Sequence, residues 1–284
     1  MPELPEVQTV VDDLNRLAIA GRQITDADVY WPKSISDLMP DAFCRKIAGR
    51  TIGRISRRGK YIVIQLLPRL TMLIHLRMSG RLNWEPVGVR RNRHEHVVLT
   101  IDGTHELRFQ DTRKFGRFFL TPDPGSILGR LGPEPLEAEF TLEVLRGRLH
   151  AFRRQIKPLL LNQQFLAGMG NIYVDEALWV AGIHPKRISN TLSISEIQAL
   201  HRAIPRVLRK GLKHMGTSLG SGAGNFYSVP GHRGRNVDEL SVFRRTGQNC
   251  SRCGGIIRRI LVGQRSSHIC PVCQPLRRQD KAVS

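Results

Sequence analysis

The stretch Cys250-Ser-Arg-Cys253-Gly-Gly-Ile-Ile-Arg-Arg-Ile-Leu-Val-Gly-Gln-Arg-Ser-Ser-His-Ile-Cys270-Pro-Val-Cys273 holds two Cys-x-x-Cys pairs 16 residues apart. Each pair can bring two thiolates to one tetrahedral ion, and the gap suits a hairpin that returns the second pair to the first. This is the ligand pattern of one structural zinc ion. Disulfides are the alternative, but no secretory signal is visible and thiols inside a cell stay reduced. The intervening pair of strands carries Arg258, Arg259, Gln264 and Arg265, so the ribbon reads as a stiff probe for nucleic acid.

The rest of the chain has the matching charge. Among 284 residues, Lys and Arg number 44 and Asp and Glu 24, a net charge of +20. The excess recurs in every segment and predicts a polyanionic partner bound in a salt-dependent way. No apolar run reaches the ~18 residues of a membrane-spanning helix, and no lipidation signal is present. The fifth cysteine, Cys44 beside Phe43, reads as a packed residue.

The N-terminus reads as a helix. Val7, Val10, Val11, Leu14, Leu17 and Ala18 recur at helical spacing, Pro5 suits the first turn, and Gly21 stops the run. Strand signals follow at Thr51 to Arg57, Lys60 to Leu67, Thr71 to Leu76, His96 to Ile101, Thr104 to Phe109 and Gly116 to Leu120. Asp102-Gly103 is a two-residue type I′ turn signal. Proline- and glycine-rich stretches at 121–125 and 132–135 mark a linker. Beyond them the period becomes helical: Thr141 can cap one helix, Arg154 to Phe165 and Ile172 to Val180 read as two more, and Ser193-x-x-Glu196 is a capping box before a helix containing Pro205. The expected fold is α+β. A β-rich domain with a leading helix, a β-sandwich or flattened barrel, spans 2–121, a linker 122–140, a helical region with a loop 141–240, and a zinc finger 241–284.

Removal of Met1 would leave Pro2 with a free secondary amine. An amine can attack an electrophilic carbon and form an iminium, and Glu3 and Glu6 beside it could move protons. A plain helix start is the alternative. The glycine turn Gln164-Phe-Leu-Ala-Gly-Met-Gly-Asn-Ile-Tyr-Val-Asp-Glu176 would let backbone approach a phosphate closely, or would simply join two helices.

Six motifs occur in one order: Pro2-Glu-Leu-Pro-Glu-Val7, Arg58-Gly-Lys-Tyr61, His75-Leu-Arg-Met-Ser-Gly80, Asp111-Thr-Arg-Lys-Phe-Gly116, the glycine turn, and the ribbon ending at Gln274. Together they resemble the formamidopyrimidine-DNA glycosylase family, which also holds endonuclease VIII. The resemblance runs from residue 2 to residue 274 and implies a helix-two-turn-helix domain between sandwich and ribbon. It implies a catalytic set of Pro2, the nucleophile on the sugar C1′; Glu3, the acid/base for ring opening; Lys60, on the lesion's phosphate; and Arg265, clamping phosphates with Asn171. Met78, Arg113 and Phe115 would fill the hole left by a flipped nucleotide, with Glu6 and His94 completing the DNA-facing set. Cys250, Cys253, Cys270 and Cys273 would hold zinc.

The implied activity is a bifunctional glycosylase/lyase that removes oxidised purines from duplex DNA, in a monomeric bacterial protein of the cytoplasm and nucleoid. Residues 217–238 depart from the family pattern, being glycine-rich and basic where a loop closes over the lesion. Phe243-Arg244-Arg245 also departs from it. An oxidised-pyrimidine enzyme or a non-catalytic binder of damaged DNA therefore stays open. A zinc-ribbon transcription or RNA-binding factor would leave Pro2 and the glycine turn unexplained.

Overall fold

The structure, a computed structural model, describes residues 1–220, 222 and 225–276. The chain forms two compact units. One comprises Met1–Arg130 and Gly211–Val237, the other Leu131–Lys210 and Asp238 onward. Residues 211–237, expected with the helical region, therefore pack in the first unit.

Helix α1 (Leu4–Arg16) opens the first unit, followed by β1 (Ile24–Val29), α2 (Pro40–Ile47), β2 (Thr51–Arg58), β3 (Tyr61–Leu67), β4 (Leu70–His75), β5 (Gly80–Pro86), β6 (Glu95–Ile101), β7 (His105–Asp111) and β8 (Arg117–Thr121). The strands make two four-stranded sheets, ordered β1-β6-β7-β5 and β2-β3-β4-β8, antiparallel throughout. Alternation drives the packing: Ile62, Ile64 and Leu66 of β3 are fully buried with Val97, Ile101 and Phe109 of the other sheet. Val7, Val10 and Leu14 of α1 join the same core. The helix ends at Arg16, earlier than Gly21, because Ala18 already turns to positive φ. Asp102 and Gly103 both take positive φ, as the type I′ reading requires.

In the second unit, which follows the short helix α3 (Gly125–Leu128), α4 (Leu142–His150) starts at Thr141, whose hydroxyl accepts from the Val144 amide. Helix α5 is shorter than expected. It covers only Ile156–Leu161, because Asn162 leaves the helical region. Pro158 sits in its first turn, where a missing N–H removes no bond. Helix α6 (Asn171–Ala181) ends at left-handed Gly182. Helix α7 (Ile194–Lys213) contains Pro205 and opens with the Ser193–Glu196 box, since each residue's side chain accepts from the other's amide. Strands β9 (Arg258–Val262) and β10 (Arg265–Ile269) form the ribbon hairpin.

Candidate active site and metal centre

The start of α1 is a buried cluster of ionisable groups. Glu3 and Glu6 are 2% and 1% exposed. They close a reciprocal capping box, with the Glu3 amide donating to Glu6 Oε2 at 2.8 Å. The other Glu6 oxygen accepts from the Thr217 amide at 2.7 Å. Glu6 was expected to face DNA. It instead lies buried against backbone and positions the helix start.

The terminal amine of Met1 has its pKa lowered, first by burial; Glu3 and Glu6 push it up, while Lys60 and Arg113 push it down. A terminal amine in this place is neutral more of the time than a free one. Lys60 is 5% exposed and follows Gly59, whose positive φ makes the β2–β3 turn. His75 lies near Lys60. Burial, then Arg77 and Lys60, bring it down to about 3, so it is neutral at pH 7. The ring of Tyr61 meets it edge-on.

Two turns beside this cluster are tied by one carboxylate. Asp111, fully buried, accepts from Ser79 Oγ at 2.5 Å and from the amides of Arg113, Phe115 and Gly116 at 3.1, 2.8 and 2.7 Å. The β4–β5 turn with Met78 is thereby fixed against the β7–β8 turn with Arg113 and Phe115. Met78 and Phe115 are 38% and 46% exposed, so neither is core. The Arg113 guanidinium lies 5.0 Å from the Phe115 ring. His94 adjoins them through its carbonyl, which accepts from the Asp111 amide, and its ring accepts from Arg93.

In the second unit, Asn171 begins α6 after the glycine turn, where Gly168 takes φ +83 and donates to the Gln163 side chain. The Asn171 amide donates to the Ser266 carbonyl at 3.1 Å. Fully buried Lys157 bonds the same carbonyl at 2.8 Å and Asp175 at 2.6 Å. Asp175 also accepts from the His268 amide at 2.9 Å. These bonds hold β10 on α5 and α6 and so fix exposed Arg265 one residue from the carbonyl that Asn171 contacts.

The four cysteine sulfurs lie within 4.8 Å of one another, with 3.8 Å between Cys250 and Cys273 and 3.4 Å between Cys253 and Cys270. A tetrahedral zinc with Zn–S of about 2.3 Å separates its sulfurs by about 3.8 Å, so the set fits one ion. Burial raises the Cys250 thiol, yet the Arg252 and Cys253 amides outweigh it and bring it to about 6. Burial and the neighbouring thiols push Cys273 to about 12. A cation is what lets all four ionise. Trp179 packs in the same cluster, and its side chain hydrogen-bonds the Cys250 thiol, which further favours the thiolate a metal would bind.

Comparison with known proteins agrees with this geometry. Residues 1–118 match the formamidopyrimidine-DNA glycosylase N-terminal domain, 131–227 the H2TH domain of the same enzymes, and 247–276 the zinc finger found in FPG and IleRS. The formamidopyrimidine-DNA glycosylase of Herpetosiphon aurantiacus is 45% identical over 276 residues, covering 96% of this chain and 100% of its own. This chain belongs to the formamidopyrimidine-DNA glycosylase family. The Protochlamydia amoebophila member is 42% identical, covering 96% and 99% of the two chains. A Lactococcus lactis FPG mutant in complex with DNA containing Fapy-dG superposes with a TM-score of 0.90 at 36% identity, covering 97% and 100%. The L. lactis complex with abasic-site DNA gives 0.88 at 36%, covering 96% and 100%.

As a member of the family the chain is a DNA-repair glycosylase with one structural zinc, and no helix among the described residues is long and apolar enough to cross a membrane. Within the first unit the amine cluster includes Glu3, Glu6, Lys60 and Arg113; within the second, Asn171 and β10 meet at Ser266. Sequence reading missed Ser79, Asp111, Lys157, Asp175, His268 and Thr217, which position the others. Asp111 and Asp175 lie inside quoted motifs, and an acid among cations there was the available signal. The stretch read as a glycine-rich lid is anchored by Phe226 and Val229 in the core and by the Val229 amide donating to Asp13 at 3.0 Å. Residues 221, 223 and 224 lie outside the described residues.

Proposed function

We propose that the chain excises oxidised purines, 8-oxoguanine and formamidopyrimidines, from duplex DNA and then cuts the strand, acting as a monomer on chromosomal DNA in the bacterial cytoplasm. The observation that carries the reading is Pro2, buried at the head of α1 next to Glu3, in a place where burial and the Lys60 and Arg113 charges lower the pKa of the adjoining terminal amine of Met1. With Met1 removed, the Pro2 nitrogen lone pair attacks C1′ of the flipped nucleotide. The C1′–base bond breaks, and the base leaves with a proton. Glu3 protonates O4′ as the sugar ring opens, leaving an iminium between Pro2 and C1′. Loss of the C2′ proton expels the 3′ phosphate. Loss of the C4′ proton expels the 5′ phosphate, and water then hydrolyses the imine to free Pro2.

Lys60, Asn171 and Arg265 hold phosphates in this reading, and His94 contacts the backbone. Extrusion costs a few kcal/mol. Met78 and Phe115 would enter the gap while Arg113 hydrogen-bonds the orphaned base. Their exposure and shared anchor at Asp111 support this.

Borohydride trapping on a duplex with one 8-oxoguanine opposite cytosine, with peptide mapping, tests it. A covalent adduct at Pro2 is expected. An adduct only with an oxidised pyrimidine would move the chain to the endonuclease VIII side, and none with either would leave a binding protein. Intact mass showing Met1 retained in an active preparation would exclude Pro2.

A further inference from the structure

Three loops of the first unit lie side by side at one end of the β1-β6-β7-β5 sheet. The Tyr30 and Trp31 amides donate to the His96 carbonyl at 2.8 and 3.4 Å, and the Asp111 amide donates to the His94 carbonyl at 2.9 Å. His96 Nε2 bonds the Asp111 carbonyl at 2.8 Å. The residues after β1 are thereby joined to the turn that carries Arg113 and Phe115. Three cations on this edge sit on aromatic rings. Lys114 Nζ is 4.0 Å and Lys33 Nζ 6.0 Å from the Trp31 ring centre, and the Arg91 guanidinium is 3.6 Å from the Tyr30 ring. Lys33, Lys114 and Arg91 are exposed, as is Tyr30.

Cation–π contacts at exposed sites contribute only about 0.5–1 kcal/mol each, so stability alone is a weak reason for the arrangement. The more telling feature is two ammonium groups on one indole. They are no farther apart than the sum of their distances to it, and among the described residues no carboxylate lies within ion-pair distance of either. Two cations held on one ring, with no acid paired to either, concentrate positive charge on this edge and attract a polyanion. The Trp31 ring also restricts both flexible side chains, which lowers the ordering cost of binding.

We propose that Trp31 is a positioning residue that sets Lys33 and Lys114 as a phosphate clamp for duplex DNA, outboard of Met78, Arg113 and Phe115, and that Arg91 on Tyr30 extends it. The inference rests on the DNA-binding part of the proposed function and adds contacts outside the lesion. The clamp reads backbone charge and is indifferent to the damaged base.

The test is equilibrium binding of the full-length, zinc-loaded protein to an undamaged duplex between 50 and 200 mM KCl (roughly the range over which phosphate contacts dominate). The variants are Lys33→Gln/Lys114→Gln, Trp31→Ala and Trp31→Phe. Each phosphate contact contributes about 0.9 to the slope of log affinity against log salt. The double lysine variant should therefore flatten the slope by about 1.8. Trp31→Ala should flatten it with both lysines still present, and Trp31→Phe should restore most of it. An unchanged slope in the double lysine variant overturns the clamp. Uniform weakening by Trp31→Ala at constant slope overturns the positioning role, because a merely structural tryptophan would behave that way. Borohydride trapping of the same proteins separates the two readings. Wild-type protein that traps a lesion while the lysine variant keeps its slope sinks the clamp alone, whereas wild-type protein that binds no duplex sinks both.

Discussion

The Glu6 carboxylate and the Thr217 backbone amide are 211 residues apart in sequence and 2.7 Å apart in space. Because the other Glu6 oxygen accepts from the Glu3 amide, one buried side chain sets both the first turn of α1 and the segment that follows α7. Space is tight there: a Cβ added to Gly216 would stand 2.8 Å from the Glu6 side chain. Glu6→Gln keeps the shape but turns one acceptor into a donor facing an N–H. It should cost about 1–3 kcal/mol and slow excision, read by denaturant midpoint and single-turnover kinetics. An unchanged midpoint would show that the amide pair is not what holds this corner.

Asp111→Asn should loosen the two turns that present Met78, Arg113 and Phe115, since at least one of its four N–H or O–H donors then loses its acceptor. Excision from duplex DNA is expected to fall by about tenfold or more, the equivalent of about 1.4 kcal/mol. Trapping on a single-stranded abasic oligonucleotide, which needs no gap filled, should persist. Equal loss on both substrates would place Asp111 in the chemistry.

Lys157 is buried with Asp175, so removing one partner strands a charge. Lys157→Met should destabilise by about 3–5 kcal/mol, and the Lys157→Met/Asp175→Leu pair should recover much of it. Urea unfolding of the two variants checks this. A double variant no better than the single one would assign the stability to the His268 and Ser266 bonds instead.

His75 gives a pH dependence of known sign. Its pKa is 6.5 in an unfolded chain and about 3 when folded, so between these values the unfolded state binds more protons. The His75 contribution is complete above pH 6.5 and is lost as pH falls toward 3, at up to about 1.4 kcal/mol per unit. Relative to His75→Gln, the wild-type thermal midpoint should decline over that window. Parallel curves would mean that the imidazole titrates normally.

Chelation should release one zinc per chain, measured with a metallochromic dye. It should unfold the 247–276 segment, and duplex affinity should fall with the loss of Arg265's platform. Retained affinity after complete zinc loss would remove the hairpin from DNA binding.

What the sequence made legible follows from how local each signal is. The β2–β3 turn, the Asp102-Gly103 hairpin, the Ser193 box and the cysteine pairs are written in neighbouring residues, and each appears where expected. Strand β1 escaped notice because the acids in Ile-Thr-Asp-Ala-Asp-Val mask its alternation, and β5 because its first residue ends the Met78 motif. Helix α2 was missed although Pro40 opens it and Phe43 and Ile47 are buried one turn apart. Met78 and Phe115 look like core residues by composition. Only their exposure, on two turns tied together by the Ser79–Asp111 bond, shows otherwise. The buried role of Glu6 depends on Thr217, which no local pattern could connect to it.

The return of residues 211–237 to the first unit has a consequence during synthesis. The Asp13 carboxylate waits for the Val229 amide, 216 residues later, and the core waits for Phe226 and Val229. On a ribosome adding about 5–20 residues per second, the nascent sandwich remains unfinished for on the order of ten seconds after its last strand has emerged. A stop codon near residue 130 would release a sandwich lacking part of its own wall. The N-terminal half is therefore a poor candidate for separate expression or domain exchange, and ribosome-stalled chains should gain protease resistance in the sandwich only once residue 229 has cleared the exit tunnel.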